Sequence, residues 1–215
     1  MEQNPYAAPQ VELLDTRAPE RFLAGGWSAG GLRLLAWLSL ALLLCDVTTI
    51  GVGVLGKLSP QLGLGSLENW LGVLDLILGC FVAWRCTRLL EDRFLARGVR
   101  WPMLILILMS VVMQACSLWF EVDFAGPNRY EDVALYLMLM YLPVGIVQVW
   151  YAIRVLKIQL PYTSVKVMGW IDLVAGVALG SVILFVAGVL LGMFSAIPMA
   201  LMFFRAAREL DAAAG

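Results

Sequence analysis

The sequence predicts an all-α integral membrane protein, a polytopic helical bundle of six transmembrane helices with both termini in the cytoplasm. Three observations lead to this fold class. Of the 215 residues, 61% are apolar and only 14% are charged, against about 45–50% and about 25% in a typical soluble domain. The apolar residues fall into runs long enough to cross a bilayer. Lysine and arginine are concentrated in alternate loops, which is typical of cytoplasmic loops.

The first 30 residues, MEQNPYAAPQVELLDTRAPERFLAGGWSAG, are expected to form a flexible cytoplasmic leader. Their proline and glycine content is typical of extended or irregular chain. They are polar and mixed in charge, and the first apolar run begins only at Gly31. We therefore expect no cleaved signal peptide, and the first span is expected to act as an uncleaved signal anchor.

The transmembrane domain is predicted to cover residues 31–205. Its four clearest spans are residues 32–55, 67–84, 101–120 and 133–153. At about 1.5 Å per residue, each run is long enough for a hydrocarbon core of roughly 30 Å. Taken in order, these spans form two helical hairpins.

The last apolar stretch is VMGWIDLVAGVALGSVILFVAGVLLGMFSAIPMALMFF, in which Asp172 is the one charged residue. A single helix of this length would measure about 57 Å, more than a tilted span can accommodate. We therefore predict two short spans, residues 167–185 and 189–204, with a turn near 185–189. Pro198 is expected to kink the second of them. Residues 206–215 are then a short cytoplasmic tail.

The loop charges give an independent test of this count. Of the 15 lysines and arginines, only Lys57 and Arg129 fall outside the cytoplasm when the chain crosses six times. The segment from residue 85 to 100 is predicted to continue the second span as an amphipathic helix, with Leu89, Leu90 and Phe94 at the headgroup boundary. The predicted anchors at the inner lipid interface are Arg85, Arg88, Arg93, Arg97, Arg100, Arg154, Lys157 and Arg205.

Composition also argues against several kinds of catalysis. The chain contains no histidine, which removes the commonest general base and metal ligand. Its four cysteines lie in or beside apolar segments without a C-x-x-C pair, so they are expected to be small buried side chains. We expect neither enzymatic activity, a cofactor, a metal site nor nucleic-acid binding.

Three carboxylates fall inside predicted spans: Asp46, Asp75 and Asp172. A charge at membrane depth costs at least about 2.5 kcal/mol, so each is a candidate for handling ions or protons. Asp75 and Asp172 share the pattern G-x-x-D-L-x-x-G, in spans that run in opposite directions. Transporters built from inverted repeats show this relation.

The alternative is a structural role, in which each aspartate is neutral and links helices by hydrogen bonds to Thr48, Thr49, Gln114 or Gln148. An aspartyl-protease dyad of Asp75 with Asp172 is rejected, because the two positions differ in depth by roughly 10 Å.

Small residues recur at helical spacing in the last stretch. Such a stripe permits close approach of helix backbones. Its candidate members for helix packing or for a partner interface are Gly176, Gly180, Gly188, Gly192 and Ala196. Packing within the protein is the simpler interpretation, and a partner or homo-oligomer interface is the alternative.

The leader motif NPYAAP, residues 4–9, resembles the start of a group of bacterial multi-pass inner-membrane proteins that open with N-P-Y-x-x-P and have no agreed activity. The resemblance implies a location in the bacterial inner membrane. Tyr6 after Asn-Pro offers a short docking motif.

The first functional hypothesis is therefore a non-enzymatic accessory or interaction protein, in contact with lipid and with a membrane partner or a second copy. The alternative is a proton- or cation-coupled small transporter or channel that uses the intramembrane aspartates. A third hypothesis is an immunity-type protein against a membrane-directed toxin.

Overall fold

The computed structural model describes residues 19–120, 130–159, 161–181 and 184–214, and these residues are almost entirely helical, with no β-strand among them. This confirms the predicted all-α class. In chain order the helices are α1 Glu20–Ala24, α2 Ala29–Leu58, α3 Gly65–Phe94, α4 Arg100–Phe120, α5 Tyr130–Leu156, α6 Thr163–Leu179, α7 Phe185–Phe194 and α8 Ala196–Ala214.

Two helical stretches in the described residues are long and apolar enough to cross a membrane, Ala29–Gly56 and Phe185–Ala213. The second combines α7 and α8. Two more, Arg100–Cys116 and Met140–Leu156, are apolar but shorter. Helix α6 has 17 residues, or about 26 Å of helix, which is slightly short for an untilted span.

The helices from α2 onward form a closed ring whose successive members run antiparallel, with α7 and α8 together making one member because they continue in the same direction. Helix α2 packs on α3, and contacts continue through α4, α5 and α6 to α7 and α8. Helix α8 then returns to α2. There the Trp37 and Phe204 rings meet edge to face at 5.7 Å, and Arg33 and Asp211 form a 2.6 Å ion pair. The ring therefore brings the start of α2 beside the end of α8.

Helix α3 is longer than the predicted second span and extends to Phe94. It ends there because Leu95 adopts the left-handed conformation with φ 52°, a common geometry at helix C-termini. Leu89 and Leu90 have no exposed surface. Their expected position at the headgroup boundary is wrong, because this part of α3 packs into the core.

The segment before α2 is also more ordered than expected for a flexible leader. Residues 20–24 form α1, which packs against α3, and Phe22 is fully buried. The indole nitrogen of Trp27 donates a 2.9 Å hydrogen bond to Asp92. Residues 1–18, including NPYAAP and Tyr6, lie outside the described residues.

The reversal expected in the last apolar stretch is present, but it lies earlier than predicted. Helix α6 ends at Leu179 and α7 begins at Phe185, so the predicted turn near residues 185–189 is wrong. Gly180 and Ser181, both weak helix formers, supply the local reason. Past the turn, Gly188 lies against the backbone of Leu179 and Ala175, so α6 and α7 form an antiparallel hairpin.

The helix is interrupted again at Ser195, between α7 and α8. Pro198 explains the position, because it has no N–H to donate to the carbonyl of Phe194 and its ring crowds that carbonyl. Ser195 keeps helical dihedral angles, with φ −59° and ψ −23°, so α7 and α8 follow one another directly and the kink expected from Pro198 stays a prediction.

Close backbone approach fixes how α5 and α6 meet. A Cβ on Gly145 would lie 2.6 Å from the Gly176 carbonyl oxygen, and one on Gly176 would lie 2.9 Å from the Val149 nitrogen. No side chain fits at either place. Gly176, Gly188 and the buried Ala196 thus pack inside the bundle, and so does the Gly180 backbone, whose nitrogen would lie 2.7 Å from a Cβ on Gly145. A Cβ on Gly192 would meet nothing within 4 Å.

Candidate functional site

The ring of helices surrounds a cavity of about 640 Å³. Its wall is mainly apolar, but it includes both Asp46 of α2 and Asp75 of α3. Ser110 and Gln114 of α4 add polar groups on the opposite side. The two carboxyl groups, Asp46 and Asp75, therefore lie at one level of the cavity. We call these two residues the outer site.

The register of α2 against α3 brings the two carboxyl groups of the outer site together. Leu42 lies opposite Gly79, and Gly53 lies opposite Glu68, so Asp46 and Asp75 fall at one level between these contacts. Their carboxyl groups interact with one another. Ionised carboxylates only accept hydrogen bonds, so a bond between them requires a proton. The sequence analysis singled out both residues but did not foresee the pair.

Asp75 also has an oxygen with no partner. Its carboxyl group interacts with the Cys45 thiol, yet Oδ1 is shielded from solvent and has no well-formed hydrogen bond among the described residues. A buried polar atom of this kind is costly unless a proton or a cation satisfies it.

A second pocket of about 240 Å³ lies next to the first. The two share part of their lining, namely Ala83, Met103, Leu106, Ser110 and Val144. Asp172 faces this second pocket and is only 7% exposed. Its carboxyl group interacts with the Ser195 hydroxyl and the Gln148 amide. We call Asp172, Gln148 and Ser195 the inner site.

The outer and inner sites lie at different depths. Cys86 neighbours Asp172 and is 11 residues after Asp75 on α3, so the two levels differ by about 16 Å. A protease-like dyad of Asp75 with Asp172 is therefore not formed. Instead, two adjacent pockets that share five lining residues hold carboxyl sites at different depths.

The polar side chains considered as aspartate partners divide into two groups. Thr48 and Thr49 donate hydrogen bonds to carbonyls of their own helix, at 2.6 and 2.9 Å. Gln114 lines the outer site and lies against Gly72, while Gln148 reaches Asp172.

The predicted interface anchors are largely used inside the protein. Arg93 donates a 2.8 Å hydrogen bond to Glu209 of α8, which also accepts one from the Tyr162 hydroxyl at 2.5 Å. Burial would lower the pKa of Arg93, but the hydrogen bond and charge of Glu209 outweigh it and raise that pKa. Burial and the same carboxylate raise the pKa of Tyr162 well above its ordinary value. Both groups therefore stay protonated at neutral pH.

Other arginines rest on aromatic rings in cation–π geometry. Arg85 lies 4.4 Å from the Trp27 ring, Arg100 5.1 Å from Trp84, and Arg205 4.6 Å from Tyr162. Arg154 lies against Gly98. The anchors that remain exposed without such a contact are Arg88, Arg97 and Lys157.

Within the described residues, no three histidine, cysteine, aspartate or glutamate side chains gather into a metal-binding group. Comparison with protein-family profiles, with curated proteins and with solved structures finds no match. The features that bear on function are therefore the two carboxyl sites and the adjacent pockets that hold them.

Proposed function

We propose that this chain is a six-span protein of the bacterial inner membrane that carries protons or small cations through its central cavity. The observation that carries the proposal is a pair of adjacent cavities that share part of their lining, with a carboxyl site at a different depth in each. Buried carboxyl groups bind protons and cations reversibly, and rows of them form ion paths in transporters.

A membrane location is supported by the outer surface of the bundle. Trp37, Trp70 and Trp101 are 63%, 73% and 69% exposed. These residues lie near helix ends, as in the aromatic belts of membrane proteins. Large aliphatic side chains are exposed along α2, α3 and α4 as well, and such a surface is unfavourable in water.

Both termini are assigned to the cytoplasm. The antiparallel ring, closed by the ion pair of Arg33 with Asp211, is compatible with an even number of crossings. The basic loops that favour a cytoplasmic location all fall at the same end of the ring as that pair.

The contacts of the basic segment favour a carrier over an accessory protein. The accessory hypothesis rested on the basic segment 85–100 and on Tyr6, which lies outside the described residues. Within that segment Arg85, Arg93 and Arg100 contact groups of the same chain, which leaves Arg88 and Arg97 exposed.

The proposal predicts that replacing Asp75 with asparagine abolishes ion movement. The change removes the titratable charge and keeps the side-chain shape. The purified protein would be placed in liposomes containing a trapped pH indicator, with valinomycin and K⁺ setting the membrane potential. We expect wild-type protein to move protons or cations and Asp75→Asn to lower the rate at least about tenfold, the loss typical of removing one proton-transfer group.

Glu91→Gln is the matched control. It removes a carboxylate from the same helix, outside the lining of both pockets, and is expected to keep the wild-type rate. Wild-type rates equal to those of empty liposomes, under pH, Na⁺ and K⁺ gradients in turn, would refute the carrier proposal. So would an Asp75→Asn rate equal to wild type.

A further inference from the structure

The inner site collects oxygen-bearing groups from three separate parts of the ring. Asp172 comes from α6, Gln148 from α5, and Ser195 from the junction between α7 and α8, and all three line the same pocket. Each side chain has an oxygen that can donate a lone pair to a cation. Their convergence on one small pocket requires the whole bundle, because the residues are distant in sequence.

The carboxylate at the inner site has no basic partner. The residues that line its pocket include no lysine or arginine. Cys86 and Tyr151, which lie beside Asp172, are uncharged in their protonated forms. An ionised carboxylate in such a place needs a compensating positive charge.

Ser195 lies at the junction of α7 and α8, where its own backbone stays helical, with φ −59° and ψ −23°. Its N–H donates to the Gly192 carbonyl at 3.1 Å and its carbonyl accepts from the Met199 N–H at 3.3 Å. The junction therefore places the Ser195 hydroxyl at the pocket without ending the helix. The charge of the inner site is that of Asp172, since its lining contains no other aspartate, glutamate, lysine or arginine.

The single carboxylate of the inner site favours a monovalent cation over a divalent one. One carboxylate neutralises a monovalent cation, whereas Ca²⁺ or Mg²⁺ usually takes more acidic ligands or several waters. A proton needs a single oxygen and would require neither Gln148 nor Ser195. We infer that the inner site binds a dehydrated alkali cation of the size of Na⁺. The inference deepens the proposed function, on whose membrane-embedded cavity it rests, by naming the ion.

The test is thermal unfolding of the detergent-solubilised full chain, followed by tryptophan fluorescence, in NaCl or in choline chloride of equal ionic strength. A ligand that binds only the folded protein raises Tm with its concentration. At Na⁺ about 100-fold above its Kd, we expect Tm to rise by about 5 °C or more. Asp172→Asn is expected to abolish the rise, and Ser195→Ala to shift the Na⁺ dependence at least about tenfold to higher concentration.

Glu91→Gln is the control and should keep the full Na⁺ response. If Asp172→Asn fails to fold, the Ser195→Ala titration decides alone. No Na⁺-specific rise in the wild type would overturn the inference, as would an unchanged response in Ser195→Ala. Liposome flux without any Na⁺ response would overturn the Na⁺ site and leave a proton carrier. A Na⁺ response without flux would support the site and overturn the carrier.

Discussion

Single residues in this protein show how charge is accommodated in an apolar bundle. In the interior, Asp75 and Asp172 have no arginine or lysine among the groups that line their pockets, and they meet uncharged or acidic neighbours. At the inner end of the ring, Arg93 meets Glu209 and Tyr162 instead. The two environments serve different purposes. Arg93 and Glu209 neutralise one another, whereas the carboxyl groups of Asp75 and Asp172 have no basic side chain in the lining of their pockets.

The ion pair of Arg93 with Glu209 is expected to matter more for stability than that of Arg33 with Asp211. Both join α8 to another helix, but the Arg93 and Glu209 side chains are 15% and 28% exposed, against 56% and 45% in the second pair. Glu209→Gln leaves a largely buried guanidinium without its charge partner, which costs about 1.5–3 kcal/mol. Asp211→Asn should cost less than about 1 kcal/mol.

Thermal unfolding of the two variants in the same detergent provides the comparison. For a chain of this size, about 1 kcal/mol corresponds to a change in Tm of roughly 2–4 °C. Equal losses of Tm in the two variants would mean that burial does not distinguish the pairs.

At the scale of helices, glycine sets how closely neighbours approach. At Gly145 and Gly176 the backbones of α5 and α6 are in direct contact. This contact holds Gln148 of α5 and Asp172 of α6 on facing surfaces. Gly188 performs the same role between α6 and α7. The small-residue stripe is therefore used mainly inside the molecule, and it positions the inner site.

Gly176→Ala should destabilise the bundle, because its Cβ would lie 2.9 Å from the Val149 backbone nitrogen and 3.0 Å from the Gly145 oxygen. Backbone atoms cannot move aside cheaply, and overpacking of this kind costs about 1–3 kcal/mol. Gly192→Ala is the matched variant from the same stripe, with open space around its Cβ. It should be neutral or stabilise by up to about 1 kcal/mol.

Chemical unfolding of both variants, monitored by the loss of helical circular dichroism, measures the difference. A Gly176→Ala protein as stable as Gly192→Ala would indicate that α5 and α6 do not pack backbone to backbone.

For the whole molecule, the six-span proposal predicts on which side of the membrane each loop lies. The loop between α2 and α3 contains the exposed Gln61, and the loop between α3 and α4 contains the exposed Arg97. Opposite ends of α3 lead to these loops. With α3 crossing the membrane, Gln61 faces outward and Arg97 faces the cytoplasm.

Single cysteines at these positions, Gln61→Cys and Arg97→Cys, would be introduced after the four native cysteines are replaced by alanine. A membrane-impermeant maleimide is expected to label Gln61→Cys in cells whose outer membrane has been permeabilised, and Arg97→Cys only after the inner membrane is opened. Gel filtration of each variant controls for folding. Equal labelling of both positions in sealed inner membranes would refute the topology.

The sequence by itself determined the all-α class, the approximate helix positions, the reversal in the last apolar stretch and the three aspartates within apolar helices. These features follow from the local sequence, since the hydropathy and charge of a segment depend on each residue and its neighbours along the chain. It did not determine the pairing of Asp46 with Asp75, the contact of Asp172 with Ser195, or the burial of Leu89 and Arg93. Only the tertiary structure decided these, because they depend on helix register and facing, which are fixed by the close contacts at Gly145, Gly176 and Gly188. Hydropathy carries no information on which faces of two apolar helices meet.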